Sequence, residues 1–236
     1  MKHSNSQKLV IILFGPPGSG KGTQGELLAE RFNLYYFETS KILEETFTGK
    51  LGEKNFLEIE GKKYYFQNEK KLWQEGKLCS PPFVTYLVME KIKELHREGK
   101  GLILSGSPRT VYEGERVIPL LKKLYGLENI KVILLEQKEK TTIWRNSRRR
   151  ICQLMRHSIL STKKEFLNLK YCPLDGSKLI KRKGLDSPET IKVRLKEYKE
   201  RTFPLIEFLK KENIKIWKID AEKSPEQVFK KIVSLI

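Results

Sequence analysis

Residues 8–21 constrain the fold of this chain more than any other stretch. Lys8–Phe14 (KLVIILF) is a continuous apolar run, short enough for a β-strand buried on both faces. It passes directly into Gly15-Pro-Pro-Gly-Ser-Gly-Lys21, after which Leu27, Leu28 and Phe32 recur at helical spacing. A strand buried on both faces needs strands beside it and helices above and below. The rest of the chain can supply them. Further β-type runs fall at Tyr35–Phe37, Gly101–Leu104, Lys131–Leu135 and Ile214–Ile219, and helical patterns separate them at Thr85–Arg97, Val111–Leu124 and Pro188–Lys211. Such alternation builds βαβ units, so the expected fold is α/β: a five-stranded parallel sheet with helices on both faces.

Gly15-x4-Gly20-Lys21, set between a strand and a helix, has the context that a phosphate-binding P-loop requires. Glycines let the backbone curl so that successive N–H groups point inward at phosphate oxygens. The helix N-terminus adds partial positive charge, and Lys21 adds a full one. The position after the lysine, usually Ser or Thr, is Gly22, and Thr23 follows. A glycine-rich turn with a chance lysine would not come with both flanking elements. The sequence therefore reads as a nucleoside triphosphate binder or a descendant of one.

Charge narrows the partners. The chain has 47 Lys/Arg against 29 Asp/Glu, a net +18, which predicts polyanions: nucleic acid, an anionic membrane or phosphorylated small molecules. The surplus is concentrated, since residues 145–194 alone hold 14 Lys/Arg and 4 Asp/Glu. No apolar run approaches the roughly 18 residues of a membrane span. The N-terminus, Met1 to Gln7, is polar and lacks the apolar stretch of a secretory signal. Three cysteines do not make a disulfide framework, so a cytoplasmic protein is expected.

Two stretches fit the alternation poorly. One, residues 39–83, contains a helix-like start at Ser40–Phe47 and an aromatic, charged patch at residues 55–67 (NFLEIEGKKYYFQ), read as an inserted hairpin. The other, residues 151–186, lacks helical period and carries Cys152, Cys172 and a Cys-Pro-Leu-Asp-Gly knuckle. The core is then 1–38, 84–150 and 187–236. Ser187-Pro-Glu and Ser224-Pro-Glu each read as a helix start, with serine as N-cap and proline in the first turn.

The run GPPGSGKGTQ at residues 15–24 resembles the P-loop of the adenylate kinase family of nucleoside monophosphate kinases. Further motifs follow in that family's order. Gly76-Lys77-Leu78 resembles its GKLV step, and Ser105-Gly-Ser-Pro-Arg-Thr110 its DGFPRT. Arg145 and Arg148–Arg150 fall where its arginine pair lies. Arg182, Glu189-Thr190 and Arg194-Leu195 resemble R…EETxxxRL, and Thr202-x-Pro204-Leu205 matches TxPL. The resemblance implies a P-loop core, a monophosphate-binding lobe at 39–83 and a lid at 151–186. It implies transfer of a phosphoryl group from Mg-ATP to a nucleoside monophosphate, most simply AMP, by a monomer without specific nucleic-acid or membrane partners.

Such transfer needs positioning and charge neutralisation, not a covalent intermediate. By resemblance, Gly18, Ser19, Gly20, Lys21, Gly22 and Thr23, with Arg149 and Lys223, hold ATP. Arg109 holds the acceptor phosphate, and Arg145, Arg182 and Arg194 close on the transferred group. Thr39, Lys77, Cys79, Gly106 and Glu113 complete the acceptor side, where Cys79 itself reads as packing. A guanidinium grips phosphate oxygens in pairs, which lysine does not.

The departures from the family fall mostly on the acceptor side. STGDLLR reads here Glu38-Thr-Ser-Lys-Ile-Leu-Glu44, so Glu44 replaces a phosphate-binding arginine and Lys41 an aspartate. Ser105 replaces the aspartate that organises magnesium through water, and Ser107 a phenylalanine. Glu113 stands where a glutamine reads adenine. An ionised carboxylate only accepts hydrogen bonds, which suits guanine, so GMP or another monophosphate remains a rival acceptor. A P-loop protein that binds nucleotide or RNA without catalysis is the alternative of a different class. In the lid, Cys152-x2-Met155-x16-Cys172-x2-Asp175 keeps the spacing of the family's structural zinc site, with methionine in place of one cysteine. Thioether is a poor zinc ligand, and His157 is the expected substitute, giving Cys152, His157, Cys172 and Asp175. A metal-free lid held by hydrogen bonds is the other possibility.

Overall fold

The computed structural model describes residues 8–48, 55–155, 157–160, 166, 168–181 and 186–236. Strands β1 (Val10–Phe14), β2 (Tyr35–Glu38), β5 (Leu102–Ser105), β6 (Ile130–Glu136) and β10 (Ile216–Asp220) form one sheet in the order β10-β6-β1-β5-β2. Every pairing in it is parallel, and the register sets Val10 opposite both Leu102 and Ile130. β1 is central, and all five of its residues are buried.

Alternate residues of β1 feed two separate apolar layers, as the period-2 geometry of a strand demands. Val10, Ile12 and Phe14 pack with Val88 and Ile92 of α4 (Pro81–Arg97), Val117 and Leu121 of α5 (Val111–Tyr125), and Leu209 of α8 (Phe203–Lys211). Ile11 and Leu13 face the other side, against Leu28 of α1 (Lys21–Phe32) and Val228 and Ile232 of α9 (Pro225–Val233). Burying aliphatic side chains contributes about 1.5–3 kcal/mol each, so these layers hold the sheet rigid behind its C-terminal edge. The loops that leave that edge carry the candidate site.

Both expected serine caps form. Ser187 accepts from Thr190 N–H, and Ser224 makes a full capping box with Gln227. The single helix expected over Pro188–Lys211 does not. It is α7 (Pro188–Glu197), a π-helical turn at Tyr198–Thr202, then α8. Pro204 has no N–H to give the carbonyl of residue 200, and Phe203 N–H reaches back to Tyr198 O instead.

The inserted patch forms an antiparallel hairpin, β3 (Phe56–Ile59) and β4 (Lys62–Tyr65), between α2 (Thr39–Phe47) and α3 (Phe66–Gln74). Leu57, Tyr64 and Phe66 pack against the edge of the core. After α6 (Glu139–Arg148), a small sheet of β7 (Arg149–Cys152), β8 (Ser158–Leu160) and β9 (Leu179–Ile180) has its own cluster, Cys152, Cys172 and Leu179.

Candidate active site

The P-loop curls over the C-terminal end of β1. Gly20 caps α1 at φ 89°, a left-handed conformation that favours glycine. A Cβ on Gly15 would stand 2.6 Å from the Leu135 carbonyl oxygen of the neighbouring strand, so the loop closes only with glycine there. Lys21 is the first residue of α1, and its ammonium donates back to Gly15 O at 2.6 Å and Pro16 O at 2.9 Å. Burial, followed by the nearby guanidinium charges of Arg109, Arg194 and Arg149, pulls its pKa down to about 7. Ser19 lies under the loop with its hydroxyl buried.

This loop forms one wall of a cavity of about 930 Å³. Gly18, Ser19, Gly20, Lys21, Gly22 and Thr23 line it from below, and Lys41, Lys77, Gly106, Arg109, Arg145, Arg149, Arg194 and Lys223 line it from other elements. Arg145, near the end of α6, donates to Gln137 Oε1 at 2.8 Å. Arg149, the first residue of β7, forks onto Asp186 at 2.5 and 3.3 Å, and Arg194 of α7 approaches the same carboxylate at 3.7 Å. Asp186 thus aligns two guanidiniums from different elements. Arg182 lies outside the described residues.

Residues expected on the acceptor side lie together, around a narrow recess of about 20 Å³ that Thr39, Trp73, Lys77, Cys79, Arg109 and Glu113 share. Gly106 (φ 90°) packs so closely under Arg109 that a Cβ there would collide with the guanidinium. Cys79 is buried, its thiol donates to Glu69 O at 3.4 Å, and burial pushes its pKa up to about 12. It is an inert packing group at neutral pH. Glu44 lines the large cavity along with Lys41. Gly76 and Leu78 tie this side to α7, through contact of Gly76 with Thr190 and the Leu78 N–H bond to Glu197 at 3.2 Å.

Comparison with known proteins gives the same reading. The profile of the family described as adenylate kinase matches residues 13–214. An adenylate kinase of Clostridium tetani is 30% identical over 230 residues, spanning 96% of this chain and 97% of its own length. One from Borreliella burgdorferi is 31% identical over 232 residues, with 96% and 97% covered. A third, from Hydrogenobaculum sp., is 29% identical over 228 residues, with 97% and 100% covered. The chain belongs to the adenylate kinase family. It is a nucleoside monophosphate kinase, a phosphotransferase built on the P-loop fold.

Within this family member, Cys152, His157, Cys172 and Asp175 converge, their ligand atoms all within 4.8 Å of one another. His157 turns Nδ1 inward, 3.5 Å from Cys152 Sγ, 3.6 Å from Cys172 Sγ and 3.3 Å from Asp175 Oδ2. Cys152 Sγ donates to Asp175 Oδ2 at 2.9 Å. Ser177 holds the other carboxylate oxygen through its N–H (2.9 Å) and hydroxyl (2.8 Å), leaving Oδ2 for the cluster. Met155 is 63% exposed and stands outside. No helix of the described residues is long and apolar enough to cross a membrane.

Sequence reasoning did not single out Asp186 or Glu38. Asp186 precedes the Ser187 cap, and only the arginines' positions in space give it meaning. Glu38 ends β2 opposite Ser105, lines the cavity, and its charge opposes the depression of the Lys21 pKa.

Proposed function

We propose that this kinase transfers the γ-phosphoryl of ATP reversibly to AMP, giving two ADP, with magnesium, as a cytoplasmic monomer. The observation that carries the reading is that Lys21 of the P-loop lines one cavity together with Arg109, Arg149 and Arg194, close enough for all three guanidinium charges to lower its pKa. Two polyanions meeting there exchange their repulsion for fixed cationic partners, and the guanidiniums need no reorganisation as charge shifts onto the transferred group. The ATP phosphates replace Gly15 and Pro16 carbonyls as partners of Lys21. Arg109 takes the acceptor phosphate, and Arg145, Arg182 and Arg194 act on the transferring group. Residues 39–83 serve as the acceptor lobe and 151–186 as a lid that keeps water out. A product assay with ATP and magnesium tests this against AMP, GMP, CMP and UMP separately. ADP from AMP is expected, and diphosphate from GMP alone would overturn the acceptor assignment.

Magnesium prefers oxygen ligands, and bound with ATP it neutralises charge on the β- and γ-phosphates. The donor chemistry fits. Of the sheet's strand-end carboxylates, Glu136 pairs with Lys218 and Asp220 accepts from Glu222 N–H, and neither lines the cavity. Glu38 lines the cavity, and Ser40 Oγ donates to its Oε1 at 2.8 Å. Glu38, with the hydroxyls of Thr23 and Ser105, would hold the ion's waters. Glu38→Gln should weaken ATP binding in magnesium about tenfold and metal-free ATP less than threefold, read by calorimetry. Equal losses would exclude Glu38 from this role.

The four-residue cluster supports a structural zinc. With Zn–S near 2.3 Å and Zn–N or Zn–O near 2.0–2.1 Å, a tetrahedron has edges of about 3.3–3.8 Å. The Nδ1 distances to both sulfurs and to Asp175 fall in that range, and the shorter 2.9 Å from Cys152 Sγ to Asp175 Oδ2 is a hydrogen bond that would open as the ion replaced the thiol proton. Cys152, His157, Cys172 and Asp175 would hold the ion, with Ser177 orienting Asp175.

A further inference from the structure

Glu113 does not reach toward an incoming base. It is 2% exposed, at the start of α5, and both of its carboxylate oxygens are already engaged. Oε2 accepts from Ser107 Oγ at 3.1 Å and from Arg109 N–H at 3.0 Å, and Oε1 accepts from Thr110 Oγ1 at 3.1 Å. Thr110 in turn caps α5, accepting from Glu113 N–H at 3.2 Å. One carboxylate therefore laces together Ser107, Arg109 and Thr110, three of the five residues that link β5 to α5 through the cis Ser107–Pro108 bond.

We propose that Glu113 is a positioning residue for Arg109, and that the acceptor base is not selected by its side chain. The proposal rests on the phosphoryl-transfer reading above. A carboxylate offers about four lone-pair sites, and three are taken by the loop. Ser107, itself 1% exposed, has its hydroxyl on this carboxylate. Serine at 107 and glutamate at 113 thus form one unit, since the buried Ser107 hydroxyl takes its hydrogen bond from this carboxylate, which Arg109 N–H and Thr110 Oγ1 hold in place. The adjoining recess, about 20 Å³, has room for little more than one water, so a purine cannot reach Glu113 without displacing its lining. What the unit fixes is the backbone of Arg109, whose guanidinium leaves the loop toward the cavity over Gly106.

The test combines turnover with calorimetric binding of AMP and GMP, so it is readable even without catalysis. Inactivity of the unaltered protein toward every monophosphate would sink the transfer reading, and binding would still decide this one. Glu113→Gln keeps an oxygen for Arg109 N–H, so the AMP-to-GMP preference should stay within about threefold. Glu113→Ala should weaken acceptor binding about 10- to 100-fold with the KM for ATP within about twofold. Combined with Arg109→Ala it should add almost nothing to the loss from Arg109→Ala alone, because both act through one group. Should Glu113→Ala fail to fold, Ser107→Ala removes a single donor and is expected to weaken acceptor binding about 3- to 10-fold. A tenfold or larger switch of base preference in Glu113→Gln, or additive losses with Arg109→Ala, would overturn the proposal.

Discussion

Lys21→Met is expected to lower kcat/KM by at least about a thousandfold and to make the protein more heat-stable. The first effect follows from removing the ammonium proposed above to meet the ATP phosphates, among the largest electrostatic contributions a P-loop makes. The second follows from where that ammonium sits before ATP arrives. Burial, then the charges of Arg109, Arg194 and Arg149, bring its pKa from 10.5 to about 7. A lysine whose folded pKa is depressed opposes folding. The penalty is complete below about pH 7, shrinks as pH rises from 7 toward 10.5, and is gone above. Its upper bound is about 5 kcal/mol at 1.36 kcal/mol per pKa unit. The bonds to Gly15 O and Pro16 O return part of it, so a gain of about 1–3 kcal/mol is expected for the variant, or about 2–12 °C in Tm at this chain length. Thermal unfolding of both proteins at pH 7 and pH 9.5 checks the sign. The gap should be largest at pH 7 and narrow with rising pH, and a variant less stable at pH 7 would refute the argument. The same depression predicts that ATP binding at pH 8 takes up close to one proton, measurable by calorimetry in buffers of different ionisation enthalpy.

The sheet was legible in the sequence because a parallel strand buried on both faces has to be written as an unbroken apolar run. All five runs became strands, to within a few residues at their ends. The phosphate loop was legible because its geometry requires glycines and a lysine at fixed offsets. Other features resisted for physical reasons. Helical periodicity runs unbroken through residues 188–211, and the π-helical turn arises from the missing N–H of Pro204, whose effect on pattern is nil. Asp186 is one carboxylate in a strongly charged chain. Its bridging of Arg149 and Arg194 depends on the meeting of two elements far apart in sequence. Glu113 shows the sharpest limit. Its acceptor-only chemistry was readable, but which donors it would meet depended on the fold of the 105–110 loop, and Ser107, Arg109 and Thr110 claimed it first.

Purified without chelators, the protein should carry about one zinc per chain, and Cys172→Ser should carry less than about 0.1. The sheet of β7, β8 and β9 has an apolar cluster of only Cys152, Cys172 and Leu179, with Ile159 and Leu169 against it. So small a core supplies little burial to order this segment, and an ion gripped by groups from three places in it would supply the rest. Loss of the ion should cut hydrogen-exchange protection across 149–180 by a hundredfold or more while the central sheet keeps its own. Catalysis should suffer too, because Arg149 is the first residue of β7 and loosening that strand releases a guanidinium from the cavity wall. A rise of about tenfold in the KM for ATP is expected. The pattern among variants identifies the ligands. His157→Ala should lose zinc as Cys172→Ser does, whereas Met155→Ala should retain it, since Met155 is largely exposed at the cavity rim and the imidazole Nδ1 faces both sulfurs. Zinc lost on Met155→Ala and kept on His157→Ala would reverse that assignment. A metal-free protein with full protection over 149–180 would leave the Cys152–Asp175 and Ser177–Asp175 hydrogen bonds as the staple of the segment.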